Sequence, residues 1–237
     1  MTKKIPVPQH RRREKGQEII EFAFVALLFA PMFLGMFVIG MNLIFSIQAN
    51  NMVRNLGDLY IHGADFSTYP YQQLAQRMGT GLNLRMPSFS GNLQTNTGAT
   101  GDGIIWITQA MYVGATTDPN CVAVGASNCT NHDSFVFMQR VVFGNSNISA
   151  QHVSSMGDPS GATLSSQGSV SNPVTDVKAK LPAAGQAAMV ALWQTTANGQ
   201  APLADGQVFY AAEGFFQTPS LSLGTNVSQG VSVRSFF

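Results

Sequence analysis

From Phe22 to Val53 the chain carries no Asp, Glu, Lys or Arg. The heart of this stretch, Phe22 to Met41, is 20 residues without a strongly polar side chain. As a helix rising 1.5 Å per residue it spans roughly 30 Å, the hydrocarbon thickness of a bilayer. The alternative is a buried helix of a soluble protein, and 20 uninterrupted apolar residues argue against it. A cleaved secretory signal has an apolar region of ~7–15 residues followed by small residues. Here the run is longer, and Ile47-Gln48-Ala49 is a poor cleavage site. The pattern therefore predicts a membrane-spanning helix over 17–47. Pro31 lies inside it, which membrane helices tolerate. Gly35 and Gly40 are five apart and do not make a G-x-x-x-G face.

Beyond the span the period changes. Ile47, Met52, Val53, Leu56, Leu59, Tyr60 and Gly63/Ala64 recur at steps of three and four, which predicts an amphipathic extension to about Asp65. Tyr69-Pro70 ends it. Tyr71 to Met78 predicts a further short helix with Tyr71, Leu74, Ala75 and Met78 on one face. The composition then shifts to Gly, Ser, Thr and Asn with strand-like runs between turns. Ile104–Val113, Ser134–Phe143, Gln207–Phe216 and Val231–Phe237 read as strands, rich in β-branched and aromatic residues. Residues 144–174 read as a surface loop, and Pro182 and Gly185 argue against one continuous helix over 177–196. The expected fold is α+β: a long N-terminal transmembrane helix continuing into a head with an antiparallel β-sheet, one helix face covering the sheet.

Charge adds direction to this picture. Charged residues make up only 11% of the 237-residue chain. Residues 1–16 carry Lys3, Lys4, Arg11, Arg12, Arg13 and Lys15 against Glu14, a net of +5, while the remainder nets −4. A basic head on a weakly acidic body fits a membrane-facing N-terminus and no nucleic-acid partner. The basic cluster precedes the span, and Arg54 is the first basic residue after it. The positive-inside rule leaves residues 1–16 in the cytoplasm and the C-terminal body outside. Cys121 and Cys129 are the whole cysteine inventory. A local disulfide suits an extracytoplasmic body, with two unpaired thiols as the alternative.

The junction before the span reads RRREKGQEIIEFAFVALLFAP. Glu21 is the last charge before the apolar run. A carboxylate there either has a partner or sits at headgroup level near a helix N-terminus. The whole pattern resembles the prepilin signals of type IV-like pilins, and GQEIIEFAFVALLFAPMFLG resembles the TadE-like minor pilins (pseudopilins) of tight-adherence, or Flp, pili. Gly16, Glu21, Phe22, Ala23 and Pro31 match that family's pattern. Ile47 to Gly57 resembles the family's continuation, although Ala-Ala-Arg-Glu-Gly is more usual there, and the resemblance covers about 45 residues.

The resemblance implies an assembly protein with a pilin-like fold. Prepilin peptidase would cut between Gly16 and Gln17, and Glu21, fifth in the mature chain, would pair with the new amine of a neighbouring subunit. Its implied partners are that peptidase, other pilins and pseudopilins, the inner-membrane pilus assembly platform and the lipid bilayer. The implied location is the bacterial inner (cytoplasmic) membrane as a single pass, and on assembly a surface pilus. The corresponding division is a cleaved basic leader (1–16), the transmembrane helix (17–47), an amphipathic extension (48–80) and a β-rich extracytoplasmic head (81–237). The rival reading is a single-pass anchored extracytoplasmic binding domain that builds no filament.

Catalytic chemistry finds little support. No G-x-S-x-G, H-E-x-x-H or P-loop occurs, and no cofactor or metal site is expected. His132-Asp133 near Cys129 reads as a polar loop rather than a Cys-His dyad. Asp158-Pro159-Ser160-Gly161 offers one carboxylate, a weak cation site. Asn147-Ile148-Ser149 and Asn226-Val227-Ser228 match a glycosylation pattern that often arises by chance.

Overall fold

A computed structural model describes residues 11–87, 95–159, 161–196, 203–218 and 230–237. The start of the basic leader and Asn226 lie outside the described residues. The chain divides into two compact units, Met1–Ile44 and Phe45–Phe237. One helix, α1 (Arg11–Ile61), runs through the described part of the first unit and opens the second.

From Arg11 on, the first unit is plain helix. Every residue from Gly16 to Phe37 is exposed, Phe22, Leu27 and Phe33 among them. Such a segment is long and apolar enough to cross a membrane. Pro31 lies within the helix. It leaves the Leu27 carbonyl without its usual donor.

In the second unit α1 acquires a buried face. Ala49, Met52, Val53, Leu56 and Tyr60 are buried at steps of three and four. Ile47, expected on that face, is exposed. The helix ends at Ile61, four residues short of the expected Asp65. Gly63 takes φ 91°, a left-handed conformation that glycine adopts freely. The amide of Ala64 then donates to Leu59 O at 2.9 Å and closes the end. Asp65 Oδ1 accepts from the Ser67 amide at 2.9 Å, turning the chain into α2 (Tyr69–Met78). Pro70 opens α2 rather than merely ending what precedes it, since its missing N–H falls in the first turn.

The buried side of α2 is Gln72 and Ala75, whereas Tyr71 and Leu74 stay exposed. A polar residue takes the core-facing position because its bonding is satisfied there. Gln72 Nε2 donates to Phe66 O at 3.0 Å, and Gln72 Oε1 accepts from Asn96 Nδ2 at 2.6 Å.

Five strands form one sheet: β1 (Thr95–Gly98), β2 (Gly103–Val113), β3 (Ser134–Asn145), β4 (Val208–Gln217) and β5 (Gly230–Phe236), in the order β1-β3-β2-β4-β5. β2 pairs antiparallel with β3 and β4, and β4 with β5. β1 pairs parallel with β3, so the sheet is mixed and the expected antiparallel sheet is corrected. β1 and β2 are joined by a tight turn at Gly101 (φ 95°) and run in opposite senses. β3 inserts between them, and a strand antiparallel to β2 is then parallel to β1.

One sheet face packs on α1, through Ile105, Ile107, Val141, Phe143, Ala212 and Phe216. Tyr60 fixes the helix to the sheet with a hydrogen bond from its hydroxyl to Gln139 Oε1 at 2.6 Å. The other face carries Ala110, Phe135, Phe137, Phe209 and Ala211. Met156, Val170, Leu181 and Met189 cover it. Residues 144–174 are therefore more than a surface loop. They include α4 (Ser146–Gln151) and bury Ile148, Met156, Val170 and Val174. α5 (Ala183–Thr196) follows Pro182 as expected but contains Gly185. A Cβ at Gly185 would lie 2.8 Å from Met156 O, so glycine lets the helix backbone approach that carbonyl.

Candidate functional site

Gly16, Gln17 and Glu21 lie on consecutive turns of α1, all exposed. Gln17 Nε2 donates to Glu21 Oε1 at 3.2 Å, an i,i+4 pair. The partner expected for Glu21 is a different group, an amine that exists only after a cut before Gln17. Gly16 sits within the helix, and a Cβ placed on it meets nothing within 4 Å. Glycine there weakens the helix by about 1 kcal/mol relative to alanine, which eases local unwinding.

Cys121 and Cys129 are brought together in the second unit at disulfide distance, Cα to Cα 5.0 Å. The pair closes the β2–β3 connection, which holds α3 (Pro119–Val124) and a 3₁₀ turn at Ala126–Asn128. Asp118, wholly buried, caps α3 by accepting from the Asn120 amide at 2.6 Å, and it also accepts from the Gly114 amide at 2.7 Å. A covalent bond across this short loop is worth about 2.5 kcal/mol on the chain-entropy model. His132 Nδ1 meets Asp133 Oδ2 at 2.9 Å on the exposed loop. With Cys129 bonded to Cys121, the pair leaves no thiol for a Cys-His dyad.

No family model matches the chain. No curated protein and no solved structure is similar to it either.

The most elaborate polar chemistry lies on the sheet face opposite α1, and the sequence reading did not assemble it. Arg140 of β3 pairs in register with Thr108 of β2, and Glu213 of β4 with Trp106 of β2, so the two charges sit diagonally across the central strand. Arg140 is 2% exposed and Glu213 4%. Glu213 accepts from the hydroxyls of Ser154 and Ser155 and from the Ser155 amide at 3.1 Å. Arg234 of β5 pairs with it at 3.0 Å. Arg140 donates to Thr108 Oγ1 and, at 2.8 Å, to Gly157 O. Burial works to raise the Glu213 carboxyl, but the two serine donors and the charges of Arg140 and Arg234 hold it below the usual carboxylate range. Burial lowers Arg140 to about 10, against the opposing pull of Glu213 and Asp158, so it remains charged at neutral pH.

Together these bonds fasten residues 154–157 onto the sheet. Beside Arg140 they leave a cavity of about 550 Å³, lined among others by Trp106, Ser146, Ser149, Ser154 and Asp158. Among the described residues no group of His, Cys, Asp or Glu is placed to hold a metal ion, and Asp158 stands at this cavity instead. A lone charge inside an apolar strand, Arg140 in SFVFMQRVVFGN and Glu213 in VFYAAEGFFQ, was the signal available in the sequence.

Proposed function

We propose that the chain is a minor pilin or pseudopilin of a tight-adherence-type pilus or related secretion apparatus. It spans the inner membrane once, with its leader in the cytoplasm and its head outside. Prepilin peptidase cuts after Gly16, and Glu21 acts in assembly with other pilins. The observation that carries this reading is the environment of Glu21. Its carboxylate stands at the start of a charge-free apolar segment with only the neutral Gln17 amide as hydrogen-bond partner among the described residues. In hydrocarbon that partner leaves the charge uncompensated, whereas an amine from a neighbouring subunit would balance it.

Cleavage tests the reading. Protein from membranes with the cognate prepilin peptidase should lose Met1–Gly16 by mass and begin at Gln17. Gly16→Ala should slow this at least tenfold, because the methyl crowds a protease that must grip extended backbone. The helix itself has room for the methyl, so misfolding will not account for the loss. Equal trimming with and without the peptidase would exclude a prepilin. The rival, an anchored binding domain with an intact leader, draws its support from the cavity beside Arg140.

A further inference from the structure

Arg140 is a buried cation whose bonding is incomplete. Its terminal nitrogens serve Thr108 and Gly157, but its Nε is buried with no hydrogen-bond partner among the described residues. No carboxylate among those residues forms an ion pair with it. The nearby Glu213 is committed to Ser154, Ser155 and Arg234. Glu213 and Asp158 act on Arg140 electrostatically but accept no bond from it, and a buried donor left unbonded beside an open polar cavity marks a place for an acceptor.

The rest of the lining narrows the chemistry. The Ser149 hydroxyl can donate and accept, and the Ser146 hydroxyl, which donates to Gly98 O at 3.2 Å, can still accept. Trp106 supplies an apolar wall beside them. Flat indole with clustered hydroxyls suits a small ring whose C–H face is apolar and whose edge carries hydroxyls. At the rim, Gly161 approaches Lys178: a Cβ built on Gly161 would lie 3.5 Å from Lys178 Nζ. A second cation there favours an anion, and exposed Asp158 opposes one. The volume of about 550 Å³ accommodates one sugar ring with water.

We propose that the cavity beside Arg140 binds a small hydroxylated carboxylate, the chemistry of an acidic monosaccharide. The carboxylate supplies Arg140 with a hydrogen-bond acceptor that Glu213 and Asp158 do not provide, and the serines hold the ring hydroxyls. This inference needs neither leader cleavage nor filament assembly.

Tryptophan fluorescence of the full chain in detergent micelles tests it, with D-glucuronate as the probe. The protein has two tryptophans, Trp106 and Trp193. Glucuronate should give a saturable change that survives Trp193→Phe and disappears in Trp106→Phe. Acetate and D-glucose should bind at least tenfold more weakly, since each lacks one half of the recognised chemistry. Arg140→Gln should abolish binding. Because that variant also loosens the sheet face, two exposed rim variants carry the decision. Asp158→Asn should tighten glucuronate about threefold and Lys178→Gln should weaken it about threefold. No saturable response up to about 10 mM, equal binding of acetate or glucose, or weaker binding in Asp158→Asn would each overturn the proposal.

Discussion

Glu213 is the only charged residue of β4, and the fold makes its ionisation part of stability. Its carboxyl is held below the value it has in the unfolded chain, so the folded state binds protons less readily. The stabilisation is in full force above the unfolded value, roughly 4.3, and fades as pH falls through the lower folded value. Acid should therefore release residues 154–157 from the sheet. In the full chain in detergent, the urea midpoint should fall as pH is lowered from about 5 to 2. Glu213→Gln should cost about 2–3 kcal/mol at pH 7 by leaving Arg140 and Arg234 without their carboxylate. It should also flatten the acid limb. An unchanged acid limb in the variant would mean that other carboxylates govern it. In the sequence, Arg140 and Glu213 show only as single charges in apolar strands. Their shared role was not legible, because the serines that complete it lie up to 59 residues away.

At the scale of elements, legibility followed apolar content. β2 to β5 carry β-branched and aromatic residues and were readable to within a residue or two at most ends. β1, with the sequence TNTG, has no apolar residue to announce it. It exists because β3 offers a free edge and Asn96 bonds to Gln72 across to α2. α5 was obscured by Gly185, whose cost to the helix is offset by its close approach to Met156. Gly214 of β4 has a comparable spatial role under α1. A Cβ there would lie 2.7 Å from Val53 Cγ2 and 2.9 Å from Phe216 Cε2, both on core side chains. Gly214→Ala should force the helix and sheet apart and destabilise the head by about 1–3 kcal/mol. Gly35→Ala and Gly40→Ala meet nothing within 4 Å and should leave the head unchanged. Comparing urea midpoints of the three variants decides between close packing and a general intolerance of alanine. Equal midpoints for all three would remove the packing argument.

For the whole molecule, the apolar segment and the head answer to different surroundings. In the head, the apolar side of α1 is satisfied by the sheet, and the chain alone accounts for it. From Gly16 to Phe37 nothing among the described residues covers the helix, an apolar surface that lipid or other subunits would bury. Glu21 distinguishes those two surroundings. A lone helix can leave its carboxylate among hydrated headgroups beside Gln17, at little cost. A bundle withdraws it from water, and then it needs a cation. Glu21→Gln should accordingly leave insertion, cleavage and the stability of the head close to wild type. If the chain is a pilin, as proposed, the variant should reduce co-purification and crosslinking with partner pilins at least tenfold. Glu21→Leu should insert as well or better and assemble no better, because apolar surface does not replace a missing ion pair. The measurement is the crosslinked fraction of each variant, normalised to its processed fraction so that a cleavage defect is not mistaken for an assembly defect. If both variants assemble like wild type, Glu21 only marks the start of a helix, and the segment after Gly16 is an anchor for a binding domain rather than the stem of a pilin.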